Sequence, residues 1–149
     1  MMDNMVDELL NRQYWVIDML PKQVPANSGG QFFEVERLVL DSSRIAALHD
    51  RFASILLKLN CYYDIDVNWG ADDGWQHNPE PSQLAERIAT TPSNGYVRIV
   101  LPAEPALITI SGDDMCMTLY GASETLIELV KLLAQAEGLF VWRPCVEEA

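Results

Sequence analysis

Aspartates recur at positions 64, 66, 72 and 73, and His77 and Glu80 follow, within the stretch CYYDIDVNWGADDGWQHNPEP. Carboxylates spaced this way suit three kinds of chemistry: holding a divalent cation, working in pairs as general acid and base, or presenting a negative surface to a basic partner. For the first, Asp64-x-Asp66-x-Asn68 matches the opening three ligand positions of an EF-hand loop. The sixth position is then Trp69, where the sharp turn needs glycine, and the twelfth is Trp75, where the ion needs a bidentate glutamate. The sequence therefore predicts no calcium loop of this type. An adventitious divalent site among Asp64, Asp66, Asp72 and Asp73 stands behind the plainer reading, a solvated acidic face on an edge strand. No metal or cofactor is expected.

For acid–base work the pairs are Asp64 with Asp66 and Asp72 with Asp73, with His77 as their partner. That chemistry requires them to line one concave site. No G-x-S-x-G, H-E-x-x-H, P-loop or G-x-G-x-x-G motif occurs, and Ser28-Gly29-Gly30 lacks the Lys-Ser/Thr of a phosphate cradle. Cys61, Cys116 and Cys145 are odd in number, far apart and without a CxxC pair. They read as small buried thiols of a reduced chain rather than zinc ligands. His49, beside Asp50, falls off the apolar stripe of its segment and is expected at the surface.

The third chemistry fits the charge. The chain of 149 residues has 10 Lys+Arg against 22 Asp+Glu, a formal net charge of −12. Residues 1–58 hold six bases and eight acids, while residues 59–149 hold four bases and fourteen acids. So acidic a balance argues against nucleic acid as a direct ligand, because phosphate contacts need a basic face. Solubility alone is the plain reading of the charge. The sharper one is a docking face for a basic protein, since opposite fields speed association and fix orientation. Trp69 and Trp75 bracket Asp72 and Asp73, and tryptophans are common interface anchors. The expected partner-binding set is Asp64, Asp66, Trp69, Asp72, Asp73, Trp75, His77 and Glu80, with no catalytic or metal-ligating set.

The elements that must position these residues follow from periodicity. Residues 3–12 suggest a short helix, and 14–20 (YWVIDML) a strand closed by Pro21. Residues 21–30 have loop composition, and 31–40 fit strand and helix equally. Ile45, Leu48, Phe52, Ile55, Leu56 and Leu59 form one helical stripe, begun near Asp41, Ser42 or Ser43 and ended by Asn60 in the left-handed conformation. A strand over 61–69 places Tyr63, Ile65, Val67 and Trp69 on one face. Residues 70–80 read as a loop, and Pro81 opens a short helix that buries Leu84, Ala85 and Ile88. Strands at 96–101, 106–111 and 115–120, joined by PAEP and GDD, form an antiparallel meander. Ser123 caps a helix to about 137 that buries Leu126, Leu129, Val130, Leu133 and Ala136, and Gly138 stops it. Residues 139–142 make a last strand, expected to add a parallel pair through a crossover. The expected fold class is α+β: a single domain over 1–149, mainly an antiparallel sheet with helices packed on one side.

The acidic N-terminus, MMDNMVDELLNRQ, lacks the basic and apolar regions of a signal peptide, and VEEA is no lipidation signal. No apolar run approaches the ~20 residues of a membrane span. A cytoplasmic chain with no membrane contact is expected. In general build, about 150 residues, acidic and α+β, it is similar to bacterial immunity proteins in size and composition, without a shared motif. That likeness implies a neutralising inhibitor of a basic toxin such as a nuclease, its carboxylates standing where phosphates would bind. The competing readings are a small carboxylate-based hydrolase and a homodimeric adaptor or structural domain joined through an edge strand.

Overall fold

The computed structural model describes residues 2–27, 29–70 and 73–144; the expectations placed on Asp72 and Cys145 lie outside them. The elements run α1 (Met2–Leu10), β1 (Tyr14–Asp18), α2 (Phe32–Leu40), α3 (Arg44–Asn60), β2 (Asp66–Asn68), β3 (Gln76–His77), α4 (Pro81–Ala89), β4 (Tyr96–Leu101), β5 (Ala106–Ser111), β6 (Cys116–Tyr120), α5 (Glu124–Ala136) and β7 (Phe140–Trp142). The seven strands form one sheet in the order β3-β2-β4-β5-β6-β1-β7, and every neighbouring pair is antiparallel. The fold is α+β, with the meander β4-β5-β6 at its centre.

Alternation along the strands divides the core. Val97, Ile99 and Leu101 of β4 and Ala106, Ile108 and Ile110 of β5 point toward a layer built from α2, α3, α4 and α5. Val100 and Leu107 point the other way and meet Val6 and Leu9 of α1. Helices α2, α3, α4 and α5 thus share one face, and α1 covers the middle of the second. The aromatic strands β1 and β7, alike in sequence, pair with each other (Val16 opposite Trp142, Ile17 opposite Val141).

The helix ends follow their residue chemistry. Leu126 N–H donates to Ser123 Oγ at 3.2 Å, the expected cap of α5. Gly138 (φ +73°) ends that helix; its own N–H reaches the Gln135 carbonyl and Leu139 N–H reaches that of Ala134, a Schellman stop. Within α5 the buried set is Leu126, Ile127, Val130 and Ala134, with Leu129 and Leu133 half-buried, so Ala134 and not Ala136 faces the core. Residues 31–40, ambiguous in pattern, are helix α2, and only Val39 of its residues is fully buried.

Six further expectations are corrected. β7 pairs antiparallel with β1, because the chain leaving α5 turns straight back along the sheet edge instead of crossing over it. The 61–69 strand shrinks to Asp66–Asn68 because side chains take its earlier backbone groups. Asn60 Nδ2 donates to the Tyr63 carbonyl (3.0 Å) and Ile65 N–H donates to Asn78 Oδ1 (2.9 Å). The same bonds explain why Asn60 is not left-handed: the chain continues helically through Cys61 (φ −68°, ψ −25°), and the left-handed residue is Asn78 (φ +41°). The loop expected over 70–80 contains β3, which pairs with β2. His49 and Cys61 exchange places. His49 is 1% exposed because α2, α4 and α5 all pack on α3 and widen its buried stripe, whereas Cys61 lies past the helix end and is exposed.

Candidate functional site

β2 and β3 form one edge of the sheet and carry much of the expected binding set. Asp66 and His77 are directly paired in register, and His77 Nδ1 lies 2.9 Å from Asp66 Oδ1. Asn78 Nδ2 donates to Asp64 Oδ1 at 2.9 Å and lies 3.4 Å from His77 Nε2. A left-handed Asn78 thus ties Asp64 and His77 into one patch. Asp64 and His77 line a shallow, open cavity with Asn60, Tyr63 and Pro102. Asp73 is not part of that cavity; its N–H closes the turn onto the Gly70 carbonyl. Glu80 stands exposed at the start of α4 and accepts the Ser82 hydroxyl at 2.6 Å.

The two tryptophans do not flank the aspartates as paired anchors. Trp69 lies on the side of the main helical layer, its indole N–H donating to Gln76 Oε1 (3.1 Å) and its ring covered by Arg87 at 4.3 Å. Trp75 lies on the α1 side, with Arg98 at 5.2 Å over its ring. Arg98 also donates two bonds to the buried Asn68 Oδ1. Asn68, the third position of the failed calcium pattern, is therefore a packing residue. Among the described residues no group of three or more His, Cys, Asp or Glu is placed to hold a metal ion.

The charge arrangement is the notable feature. Residues 59–149 hold only four Lys or Arg, and each lies over a tryptophan: Arg87 on Trp69, Arg98 on Trp75, and Lys131 and Arg143 on Trp15. None of the four forms an ion pair with a described carboxylate. Among the described residues, Glu137 with Lys58 is the one ion pair that an acid of this half makes with a Lys or Arg; Asp66 lies against the His77 ring. On the tryptophan faces the four cations keep their charge but are bonded to none of these carboxylates, which leaves the carboxylates without a cation of their own at contact distance.

No family model, no curated protein and no solved structure matches this chain. Its function must be read from its own geometry.

Sequence reasoning missed a second site. Under the 20–30 loop lies a cavity of about 420 Å³ whose walls include Asp18, Glu36, Asp114 and Cys116. Asp18 is only 8% exposed. Burial holds its carboxyl above the usual range, against the pull of the Leu20 and Met19 backbone N–H groups. The signal was a single acid in the otherwise apolar YWVIDML. Burial, then the nearby Asp114 and Asp18 carboxylates, push the Cys116 thiol far up, so it stays protonated. In an alkylation time course at pH 8 followed by peptide mapping, Cys61 is expected to react at least about tenfold faster than Cys116. Equal rates would mean that Cys116 is neither shielded nor protonated as described.

Proposed function

We propose that the protein is an acidic binding protein that docks a basic protein partner, an inhibitor of the immunity-protein kind acting in the cytoplasm on a toxin such as a nuclease. The observation that supports this best is the withdrawal of all four cations of residues 59–149 onto tryptophan faces. An acidic surface kept for solubility tolerates internal salt bridges; a surface kept for a basic partner is more useful without them. The docking edge is β2–β3, with Asp64, Asp66, His77 and Glu80 on or beside it and Asp73 in the adjoining turn. Cytoplasmic placement agrees with the free thiols of Cys61 and Cys116 and with the absence of any described helix long and apolar enough to cross a membrane.

The hydrolase reading rests on the Asp66–His77 pair beside an open cavity. It is the weaker one, because His77 Nε2, the atom a general base would use, faces the Asn78 amide N–H₂.

The test begins with affinity capture from the native cell to obtain the partner. Association kinetics then compare the wild type with Asp64→Lys/Asp73→Lys. The double reversal is expected to slow association about tenfold at low salt and to flatten its salt dependence. Its stability should stay within about 1 kcal/mol of the wild type, since both residues are exposed and the reversal removes the exposed Asn78–Asp64 hydrogen bond. Binding insensitive to both the reversal and salt would remove the acidic edge from the interface.

A further inference from the structure

We propose that the cavity under the 20–30 loop binds a small organic cation with an apolar body, an ammonium group on a hydrophobic frame. This site is separate from the β2–β3 edge and does not depend on the docking of a protein there. Three features of the cavity lead to it.

The first is shape. A volume of about 420 Å³ falls in the range of small-molecule pockets, roughly 300–1,000 Å³. It lies where β1 ends and β6 begins, closed by the loop on one side and by the start of α2 on another. Val24, Pro25, Phe32, Phe33, Met115 and Trp142 form apolar walls. Phe33 is 74% exposed and packs edge-on against Phe32 at 5.6 Å. A bound apolar body would cover this large ring, otherwise left in water.

The second is charge. Asp18, Glu36 and Asp114 enter the cavity from β1, α2 and the β5–β6 turn, and among the described residues no lysine or arginine lines it. Asp114 Oδ1 already accepts Met115 N–H (2.7 Å) and the Cys116 thiol (3.4 Å). A buried carboxylate is costly without a countercharge, and around Asp18 stand the Leu20 and Met19 backbone N–H groups, the Trp142 indole N–H and a repelling Asp114, neutral donors and a like charge. A cation in the cavity is the partner these groups lack, and the rings beside it add cation–π attraction.

The third is what the walls reject. They suit a metal ion poorly, being mostly apolar and without a ligand cluster among the described residues. One lysine or arginine of a protein partner would leave most of the apolar wall wet, so the free small molecule is the better fit.

The probes are 2-phenylethylammonium, its neutral analogue 2-phenylethanol and the anion 2-phenylacetate, titrated into the full chain at neutral pH. Binding is read by calorimetry and by amide chemical shifts. The cation is expected to bind about tenfold or more tighter than the alcohol, and the anion not at all, because hydrogen bonds between charged groups are the strong ones. Shifts should fall on residues 18–26, 32–36 and 114–116. Asp18→Asn is expected to erase the preference for cation over alcohol while leaving the alcohol's affinity in place, which shows that the cavity survives. Glu36→Gln, on the surface of α2, should weaken the preference severalfold with an unchanged melt. Equal affinity for cation and alcohol, a preference that survives Asp18→Asn, or no saturable cation binding at millimolar concentration would each overturn the proposal. Shifts confined to residues 64–80 would reassign the cation to the acidic edge and overturn it as well. So would binding of a lysine-bearing peptide without binding of the small cation, which would make the cavity a socket for a partner's side chain.

Discussion

Gly112→Ala is expected to destabilise the protein by about 3 kcal/mol or more, a fall in melting temperature of roughly 6–12 °C for a chain of this size. Gly112 opens the β5–β6 turn, and its N–H donates to the Gly95 carbonyl at 2.9 Å. A Cβ placed on it would lie 1.7 Å from the Pro92 carbonyl oxygen and 2.6 Å from the carbonyl carbon. Both are backbone atoms, so no side chain can swing aside. The turn at 112–115 and the turn at 92–95 would have to separate, and the elements they connect would shift with them. Gly70→Ala is the control: its Cβ would meet Asp73 Oδ2 at 3.5 Å, an ordinary contact. Calorimetric scans of the two variants should differ by nearly the whole predicted amount. Coincident melts would show that the turns have room. The functional consequence is equally specific, because the same turn carries Asp114 and Met115 to the wall of the amine cavity.

Elements whose pattern comes from one dominant force could be read in advance. The stripe of α3, the serine cap and glycine stop of α5 and the central meander all rest on local periodicity or on one terminal residue. What could not be read depended on pairing across the chain. β3 is two residues long and polar, and exists only because β2 offers it an edge. The last strand's direction is set by the turn after α5, not by its composition. Residues 31–40 balance two periods, and packing against α3 decides for the helix.

The candidate site divides along the same line. Asp64, Asp66 and His77, clustered in sequence, lie near one another because Asp66 and His77 sit on adjacent strands joined by a short loop and Asn78 ties in Asp64 just before β2. It grouped Trp69 and Trp75 with them, but alternation on strands and the turn between them send the two rings to opposite sides of the sheet. Net charge was legible, and its lack of compensation was not. That lack follows from which aromatic ring each Arg or Lys covers, a fact of tertiary packing. The amine cavity draws on β1, α2 and a turn separated by some hundred residues, so only the lone Asp18 in an apolar strand hinted at it.

Acidification below pH 6.5 is expected to weaken the fold through His49. Its ring is 1% exposed, and neither nitrogen has a hydrogen-bond partner among the described residues. It packs against Phe52, ring centroids 5.9 Å apart. Burial lowers its pKa from the ordinary 6.5; the Asp114 backbone approaches without meeting hydrogen-bond geometry and offsets only part of this. The sign follows from proton binding. The unfolded chain takes up a proton near pH 6.5 that the folded chain refuses, so stability is complete above that pH. It is lost as pH falls toward the depressed folded value, no more steeply than about 1.4 kcal/mol per pH unit. Asp18 acts in the opposite direction. Its carboxyl, raised by burial, binds a proton more readily when folded and favours the folded state as pH falls toward 3.8. The two are separated by His49→Phe, which keeps a flat ring of similar size, removes the titration, and deletes two buried polar atoms that cost about 1–3 kcal/mol when unsatisfied. The variant should melt higher than the wild type at pH 7, and the gap should widen by several degrees at pH 5. Parallel melting curves across that interval would show that His49 stays neutral in both states or finds a partner on protonation, and the acid sensitivity would have to come from elsewhere.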